Sequence, residues 1–415
     1  MKTTARRDIN NTHVFDKVYR NDPYASYAQL RRDHPVTWDE GVGAWLVSKA
    51  ADVEAVLKDG KTYSSNRMPV AYERFPEPKY EELFATIGHL MTQHDEPDHR
   101  RLRKLTHYAF QRAAVESYAP QIRALAQKLL APAAARGSME FMAEFAVPLP
   151  ILVISKIVGI PAEDGDRVKR YCDRFVSVAL SFYAKITRED LDDGAEAIAA
   201  FRAYLADRVA VVRETDPNCL LAALADAEED GERLTFDELV ANVILLLTAG
   251  NETTTVLLGN GLHRLIHDPA AMRALRGDPG LIANAVEEML RHEPPAQYIG
   301  RVATREVELG GQIIAPGDVV LVLIGSAGRD EDTYDFADTF NVFRAENHHL
   351  SFGSGAHMCA GIQLARVEAK IAFETILKSF SDIRPGLTEP VYGPNMVMRG
   401  FQSFPILVTG RPGGL

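Results

Sequence analysis

Cysteine is scarce in this chain: three in 415 residues, at 172, 219 and 359, with no CxxC pair. That scarcity excludes a disulfide framework and a four-cysteine zinc or iron-sulfur site. Positive charge is in deficit as well, with 46 Lys and Arg against 57 Asp and Glu and a formal charge of -11. A nucleic-acid partner held by the overall field is therefore excluded, and only local basic patches remain for docking. The N-terminal MKTTARRDINNTH has no apolar stretch behind it to act as a signal-peptide core or membrane anchor, so a cytoplasmic location away from membranes is expected. Internal repeats and low-complexity linkers are missing too, which predicts one continuous domain over 1–415 with residues 1–14 as an extension. What the chain does have is ordinary globular material, 46% hydrophobic and 25% charged, enough for a large core.

PVTW (35–38) and AWLVS (44–48), separated by EGVG, read as a β-hairpin. From Ala50 to Phe201 the pattern is mostly helical, broken at VPLP (147–150) and GIP (159–161). Residues 66–90, rich in Pro, Tyr, Phe and Glu without clean periodicity, read as an irregular covering loop. Thr235 to His267 forms the longest helical run, opened by a capping box of Thr235 and Glu238 and closed by Asp268-Pro269. Its middle is apolar almost all round, as in a buried helix; Asn242, Asn251 and Glu252 interrupt the ~18 apolar residues that a membrane span needs. After Pro294-Pro295, RVATREVEL, QIIA and DVVLVLIG read as consecutive antiparallel strands. A last helix follows Cys359, with Ile362, Ala365, Ala369, Ala372, Ile376 and Phe380 at helical spacing. The fold class is mainly α with a small β portion.

Cys359 lies in FGSGAHMCAG (352–361), at the entrance of that last helix, where unpaired N–H groups favour a thiolate. Three roles are open to it: nucleophile, redox sensor and metal ligand. A nucleophile needs a base, and His357, two residues away in a loop, need not face the sulfur. Gly353, Gly355 and Gly361 would let backbone pass close to a large flat object, with Phe352 packed near the sulfur.

At each fixed position FGSGAHMCAG resembles the FxxGxHxCxG haem-binding loop of the cytochrome P-450 family. The resemblance implies that haem b (iron protoporphyrin IX) sits between the long central helix and the cysteine-loop helix, with Cys359 as the thiolate ligand of the iron. EEMLR is similar to the family's ExxR, which would make Glu288, Arg291 and Arg344 a buried network bracing the loop. AGNETT (249–254) resembles the family's oxygen-binding signature: Ala249 and Gly250 would lie against the haem, Gly250 leaving room for dioxygen. Glu252 and Thr253 would deliver the two protons that reductive cleavage of dioxygen consumes. His99 and Arg103 of HRRLR stand at i, i+4 on one helical face. By resemblance they hold the haem propionates together with Arg301 and His357, since unpaired buried carboxylates are expensive. Two departures stand out: Gly328 occupies a position commonly Asn in the family, and Glu252 replaces the more frequent Asp.

The resemblance implies a monooxygenase that inserts one oxygen atom of dioxygen into a substrate by hydroxylation or oxidative dealkylation. Electrons would come from NAD(P)H through a reductase and a ferredoxin-type donor, docked on Arg100, Arg101 and Lys104 with Arg366 or Lys370. The substrate pocket would be built from 66–90, 175–190 and 395–398, with Met68, Phe84, Ile87, Leu246, Ala249, Ala296, Tyr298, Ile299 and Met396 as candidates. Their mostly apolar character predicts an apolar or aromatic ligand of small to middle size. Two other readings remain, a peroxygenase driven by hydrogen peroxide and a non-catalytic haem gas sensor; neither needs the Glu252 and Thr253 pair.

Overall fold

The computed structural model describes residues 21–107, 112–179, 186–229, 231–395 and 397–413. The expected extension at 1–14 lies outside them. The elements that position the site are, in chain order, β1 (Val36–Asp39), β2 (Ala44–Val47), α1 (Ala50–Lys58), β3 (Tyr63–Ser64), α2 (Asp98–His107), α3 (Arg112–Arg136), α4 (Pro148–Val158), α5 (Gly165–Ala179), α6 (Phe236–Ile266), α7 (Ile282–His292), β4 (Ile299–Ala303), β5 (Val319–Val322) and α8 (Ile362–Ser379).

The long helix α6 begins as its capping box dictates. The Glu238 amide donates to Thr235 Oγ1 at 3.2 Å, and the Thr235 amide donates to Glu238 Oε2 at 2.9 Å. Among the described helices α6 alone is long and apolar enough to cross a membrane, yet 67% of its apolar window is buried inside the fold. Core helices bury such a surface against neighbours, and α6 packs on α4, α5, α7 and α8.

The expected hairpin forms β1 and β2, edge of a five-stranded sheet in the order β1-β2-β5-β4-β3. The strands after Pro295 follow the sequence reading in part. Val307–Leu309 and Gln312–Ile314 close on each other across the Gly310-Gly311 turn as expected but form a separate hairpin, while β5 pairs antiparallel with β4 and parallel with β2. The cause is the VVLV run of β5, apolar at every position and buried on both faces, as suits a central strand. Residues 66–90 are likewise more regular than expected: Met68–Arg74 and Glu81–Gly88 are helices. Pro69 in the first turn of one and Glu81 and Glu82 in the first turn of the other suit helix starts, but each is too short to show a period.

A buried ion network ties α7 to the chain that leads into the cysteine loop. Arg291 Nε and Nη2 donate to the two Glu288 carboxylate oxygens at 2.7 and 2.8 Å, with both side chains 0% exposed. Arg344 Nε adds a bond to Glu288 Oε2 at 3.1 Å, as do the Asn341 amide to Oε1 and Asn347 Nδ2 to Oε2. The remaining Arg291 nitrogen donates to the Gly328 and Ala337 carbonyls at 2.6 and 2.7 Å. Gly328, the departure noted above, fits this arrangement for a steric reason: a Cβ there would lie 2.1 Å from the Arg291 carbonyl oxygen.

Two outcomes follow. Gly328→Ala must displace backbone, so it should destabilise by about 1–3 kcal/mol and lower haem occupancy after expression; an unchanged thermal midpoint would show that the turn yields freely. Glu368 of α8 is 1% exposed, its Oε1 has no hydrogen-bond partner, and burial pushes its carboxyl up to about 8. A carboxyl raised on folding takes up a proton, so its stabilising share is full below the unfolded carboxylate range and is lost as pH rises through about 8. Glu368→Gln should therefore flatten the decline of the melting temperature between pH 6 and 9, read by differential scanning fluorimetry.

Candidate active site

A cavity of about 360 Å³ opens between α6 and the cysteine loop. From α6 it takes Leu245, Leu246, Ala249, Gly250, Thr253, Thr254 and Leu257; from the other side it takes Phe352, Gly353, Ser354, His357, Cys359, Ala360 and Gly361, then Leu364 and Ala365 at the start of α8. Ala296 and Ile299 close one flank as the chain enters β4. Thr253 Oγ1 donates to the Ala249 carbonyl at 2.8 Å, one turn back along α6. Gly250 is on the wall, but the side chain it lacks would point at Ile154 of α4, with Cγ1 at 3.1 Å. Its smallness thus lets α4 pack against α6, a reason the sequence reading did not give.

The loop glycines divide their work in the same way. Gly353 and Gly355 both have φ near +70°, in the left-handed region that favours glycine. Only Gly353 faces the cavity. A Cβ on Gly355 would meet the Leu57 carbonyl at 2.8 Å and Lys58 Cα at 3.0 Å, so Gly355 seats the loop on the end of α1 instead of lying against a cofactor. The Cys359 amide donates to the Phe352 carbonyl at 2.8 Å, closing the loop and turning the sulfur onto the cavity. Burial raises the thiol pKa, and the Gly361 amide and the Arg103 charge oppose this without overcoming it. The helix entrance alone does not make the thiolate. A cation bound on the sulfur would, as a coordinating metal ionises a thiol outright.

At one edge of the cavity cationic and imidazole groups converge from four elements: His99 and Arg103 on α2, Arg301 on β4, His357 in the loop, and Arg67 before the Met68–Arg74 helix. Arg301 is directed there by register, opposite Val320 of β5. The His99 and His357 rings stand 3.9 Å apart between centroids. Burial, then His99, Arg301, Arg103 and Arg67, press His357 down to about 3, so both rings can stack uncharged. His99 is lowered by burial and by Arg103, and its Nδ1 is buried without a hydrogen bond, Glu96 Oε1 being 3.8 Å away. Half-buried Arg103 has no hydrogen bond to a described residue and is lowered by burial. Orphaned donors of this kind call for an anionic ligand, and two propionates of a haem whose iron meets Cys359 fit them.

Glu252 is not on the cavity wall. Its carboxylate accepts from Asn395 Nδ2 at 3.1 Å, and burial pushes its pKa up to about 7. Asn395 is itself held, its Oδ1 accepting from the Val397 and Met398 amides at 2.9 and 3.1 Å. Glu288, Arg291 and Arg344 lie behind the loop as a brace, away from the cavity.

Of the pocket candidates, Leu246, Ala249, Ala296 and Ile299 line the cavity and Met68, Phe84, Ile87 and Tyr298 do not. Phe84 and Ile87 face the core of the Glu81–Gly88 helix, Phe84 edge-on to Tyr72. Met68 packs over Gly88, and Tyr298 joins Tyr24 and Tyr27 in a separate cluster. Met396 and 180–185 lie outside the described residues. Arg67, Met91, Thr92 and Leu290 are on the wall unannounced.

The docking cations are not a free patch. Arg101 is bound to Glu238, Arg100 to Glu96 at 2.9 Å, Arg366 to Glu287 at 2.7 Å and Lys370 to Glu374 at 3.3 Å, and Lys104 is also engaged. Arg100, Arg101, Arg366 and Lys370 thus each have a neighbouring acid, which reduces the positive surplus expected there.

A family model described as Cytochrome P450 matches residues 133–278 and 280–397. The chain is 33% identical over 385 residues to the Putative cytochrome P450 YjiB of Bacillus subtilis (strain 168), covering 92% of this chain and 93% of that one. The crystal structure of CalO2 matches with a TM-score of 0.89 at 34% identity, over 95% of this chain and 98% of the other. P450BioI, solved with hexadec-9Z-enoic acid ligated acyl carrier protein, matches with a TM-score of 0.87 at 32% identity, over 94% and 99%. A likeness that covers α6 and the cysteine loop makes this chain a member of the cytochrome P450 family, whose enzymes are haem-thiolate monooxygenases.

Proposed function

We propose that this chain, as one haem domain acting in the cytoplasm, inserts one oxygen atom of dioxygen into an apolar or aromatic substrate by hydroxylation or oxidative dealkylation. Electrons come from NAD(P)H through a reductase and a ferredoxin-type donor. The haem b iron, held by Cys359, supplies the centre that binds dioxygen and accepts electrons. His99, Arg103, Arg301 and His357 hold the propionates, and Phe352 and Gly361 flank the ligand. The observation that carries the catalytic part is Thr253 on the wall, with Glu252 next to it in α6 but off the wall, its carboxyl held by Asn395 and pushed up to about 7 by burial.

Thr253 presents its hydroxyl to the cavity while its proton rests on the Ala249 carbonyl, so a small rotation frees it to donate. Glu252 is the reservoir. It is half-buried and close enough to the Lys169–Asp173 pair on α5 to feel both charges, Asp173 raising and Lys169 lowering its pKa. Asn395 fixes its direction. An acid with a pKa near the working pH gives up and regains protons with little loss at either step.

Turnover with NADPH, a surrogate ferredoxin and its reductase, compared with hydrogen peroxide alone, tests the reaction class; product from peroxide and none from the electron chain would make the protein a peroxygenase, and no product from either would leave a gas-binding role. Thr253→Ala should keep the haem spectrum and substrate binding while peroxide release rises severalfold at the expense of product. Tight coupling in that variant would remove Thr253 from the relay. Because Glu252 donates only when protonated, product formation should fall as pH rises through about 7. Asn395 favours the carboxylate by donating to it, so Asn395→Ala should move that falling limb to higher pH, measured in coupled steady-state assays.

A further inference from the structure

One polar side chain in the apolar stretch of α6 takes no part in the proton relay. Asn242 stands one turn before Leu245 and Leu246, on the helical stripe that continues through Ala249, Thr253 and Leu257, all of them on the cavity wall. It is 0% exposed. A buried amide costs free energy unless its groups are bonded, and Asn242 is bonded at both ends. Nδ2 donates to the Glu238 carbonyl of its own helix at 2.8 Å and to the His89 carbonyl at 3.1 Å, while Oδ1 accepts from the Met91 amide at 3.0 Å.

Two of those bonds reach a single piece of backbone. His89 and Met91 flank Leu90, so one side-chain amide pairs with both a peptide C=O and a peptide N–H at the entrance of the Met91–Gln93 turn. Within the turn the Gln93 and His94 amides donate to the Leu90 and Met91 carbonyls at 2.8 and 3.4 Å, and Thr106 Oγ1 of α2 lies 3.6 Å from Met91 Sδ. Met91 and Thr92 are on the cavity wall. Gln93 follows them, and its Oε1 accepts from the Arg67 amide and Nε, both at 3.2 Å, which ties in the stretch before the Met68–Arg74 helix. Position is thus handed from Asn242 to the turn, and from the turn through Gln93 to Arg67. Only a side chain with both a donor and an acceptor can make the two bonds from α6.

We propose that Asn242 is a positioning residue for substrate selection: without touching a ligand, it holds the 89–93 turn on α6, sets where Met91 and Thr92 close the cavity, and so limits the length of ligand that the cavity accepts. This deepens the reading of the cavity as the substrate site of a haem enzyme and rests on it. A leucine at 242 would leave the buried Met91 N–H and His89 carbonyl without those partners, and the turn regains hydrogen bonds only by moving toward water. The cavity then lengthens with no change at Cys359, Thr253 or the propionate cluster.

Optical titration of the ferric holoenzyme with 1-methyl-, 1-butyl-, 1-octyl- and 1-dodecylimidazole tests it without turnover, because the ring nitrogen binds the iron and shifts the Soret band whatever the natural substrate is. In the native protein affinity should rise from methyl to octyl and fall at least about tenfold for dodecyl. Asn242→Leu should remove that penalty with methyl affinity and haem content unchanged. Asn242→Asp, which keeps an acceptor for the Met91 amide, should retain part of it. Met91→Ala trims the same wall directly, so its effect and that of Asn242→Leu should fail to add in the double variant. Hydrogen exchange gives a second measurement: peptides over 89–93 should lose protection, with α2 unchanged, in Asn242→Leu or, where that variant does not accumulate, in Asn242→Asp. The proposal is overturned if the native protein shows no dodecyl penalty, if Asn242→Leu keeps it or weakens all four ligands alike, or if the two substitutions add. A Soret shift with all four ligands and an unchanged length profile would remove the role of Asn242 alone, whereas no shift with any ligand would defeat the haem-cavity reading and this proposal with it.

Discussion

The structure turns on the carboxylate of Glu288. Ionised groups taken out of water cost several kcal/mol each even after the protein relaxes, so a fully buried acid survives only where bonds surround it. Here two arginines, an amide nitrogen and an asparagine side chain supply them. The consequence is geometric. Arg291, Arg344, Asn341 and Asn347 come from segments up to 59 residues apart from Glu288 in the chain, and satisfying one carboxylate fixes all of them against α7. Asn284 extends the hold by donating to the Val342 and Arg344 carbonyls at 2.7 and 3.1 Å.

One residue earlier, Glu287 does the same for the far side of the loop. Burial alone would raise its pKa, but bonds from His349 and Arg366 overcome that and hold it at about 2. His349 precedes the cysteine loop and Arg366 lies in the first turns of α8, so adjacent acids on α7 clamp both ends of the segment that carries Cys359. The position of the sulfur is thereby set by charge pairing at a distance from it. This also explains why Gly328 admits no side chain: the turn that accepts from Arg291 must approach the α7 backbone closely.

Much of this was legible in the sequence because the chemistry is local. Thr235 and Glu238 announce the start of α6, FGSGAHMCAG the loop, and the Glu288 and Arg291 spacing one helix face. What stayed hidden depends on partners distant in the chain. Gly355 reads as a cofactor-facing glycine because nothing in the sequence reveals Leu57 beside it. Phe84 and Ile87 were placed in the pocket because an apolar residue looks the same whether it faces a core or a cavity. The helices of 66–90 are too short to display a period. Arg101 shows the reverse error, where a run of bases suggested a docking patch and its acid partner Glu238 lay 137 residues away.

Bases at the surface and in the cavity are held differently. Several exposed ones are paired with acids, Arg100 with Glu96, Arg366 with Glu287 and Lys370 with Glu374 among them, and pairs of that kind contribute ~1 kcal/mol or less each. Inside, Arg67, Arg103 and Arg301 gather at one edge of the cavity, next to two histidines that burial and nearby arginines hold below the ordinary imidazole range. Such an arrangement strains the protein by itself, because like charges drawn together in a partly dry site repel. An anionic cofactor relieves that repulsion on binding, which makes the cation cluster a source of cofactor affinity as well as orientation. Across the cavity the wall of α6 is apolar at Leu245, Leu246, Ala249 and Leu257, so the cationic edge and the apolar face are separated within one site.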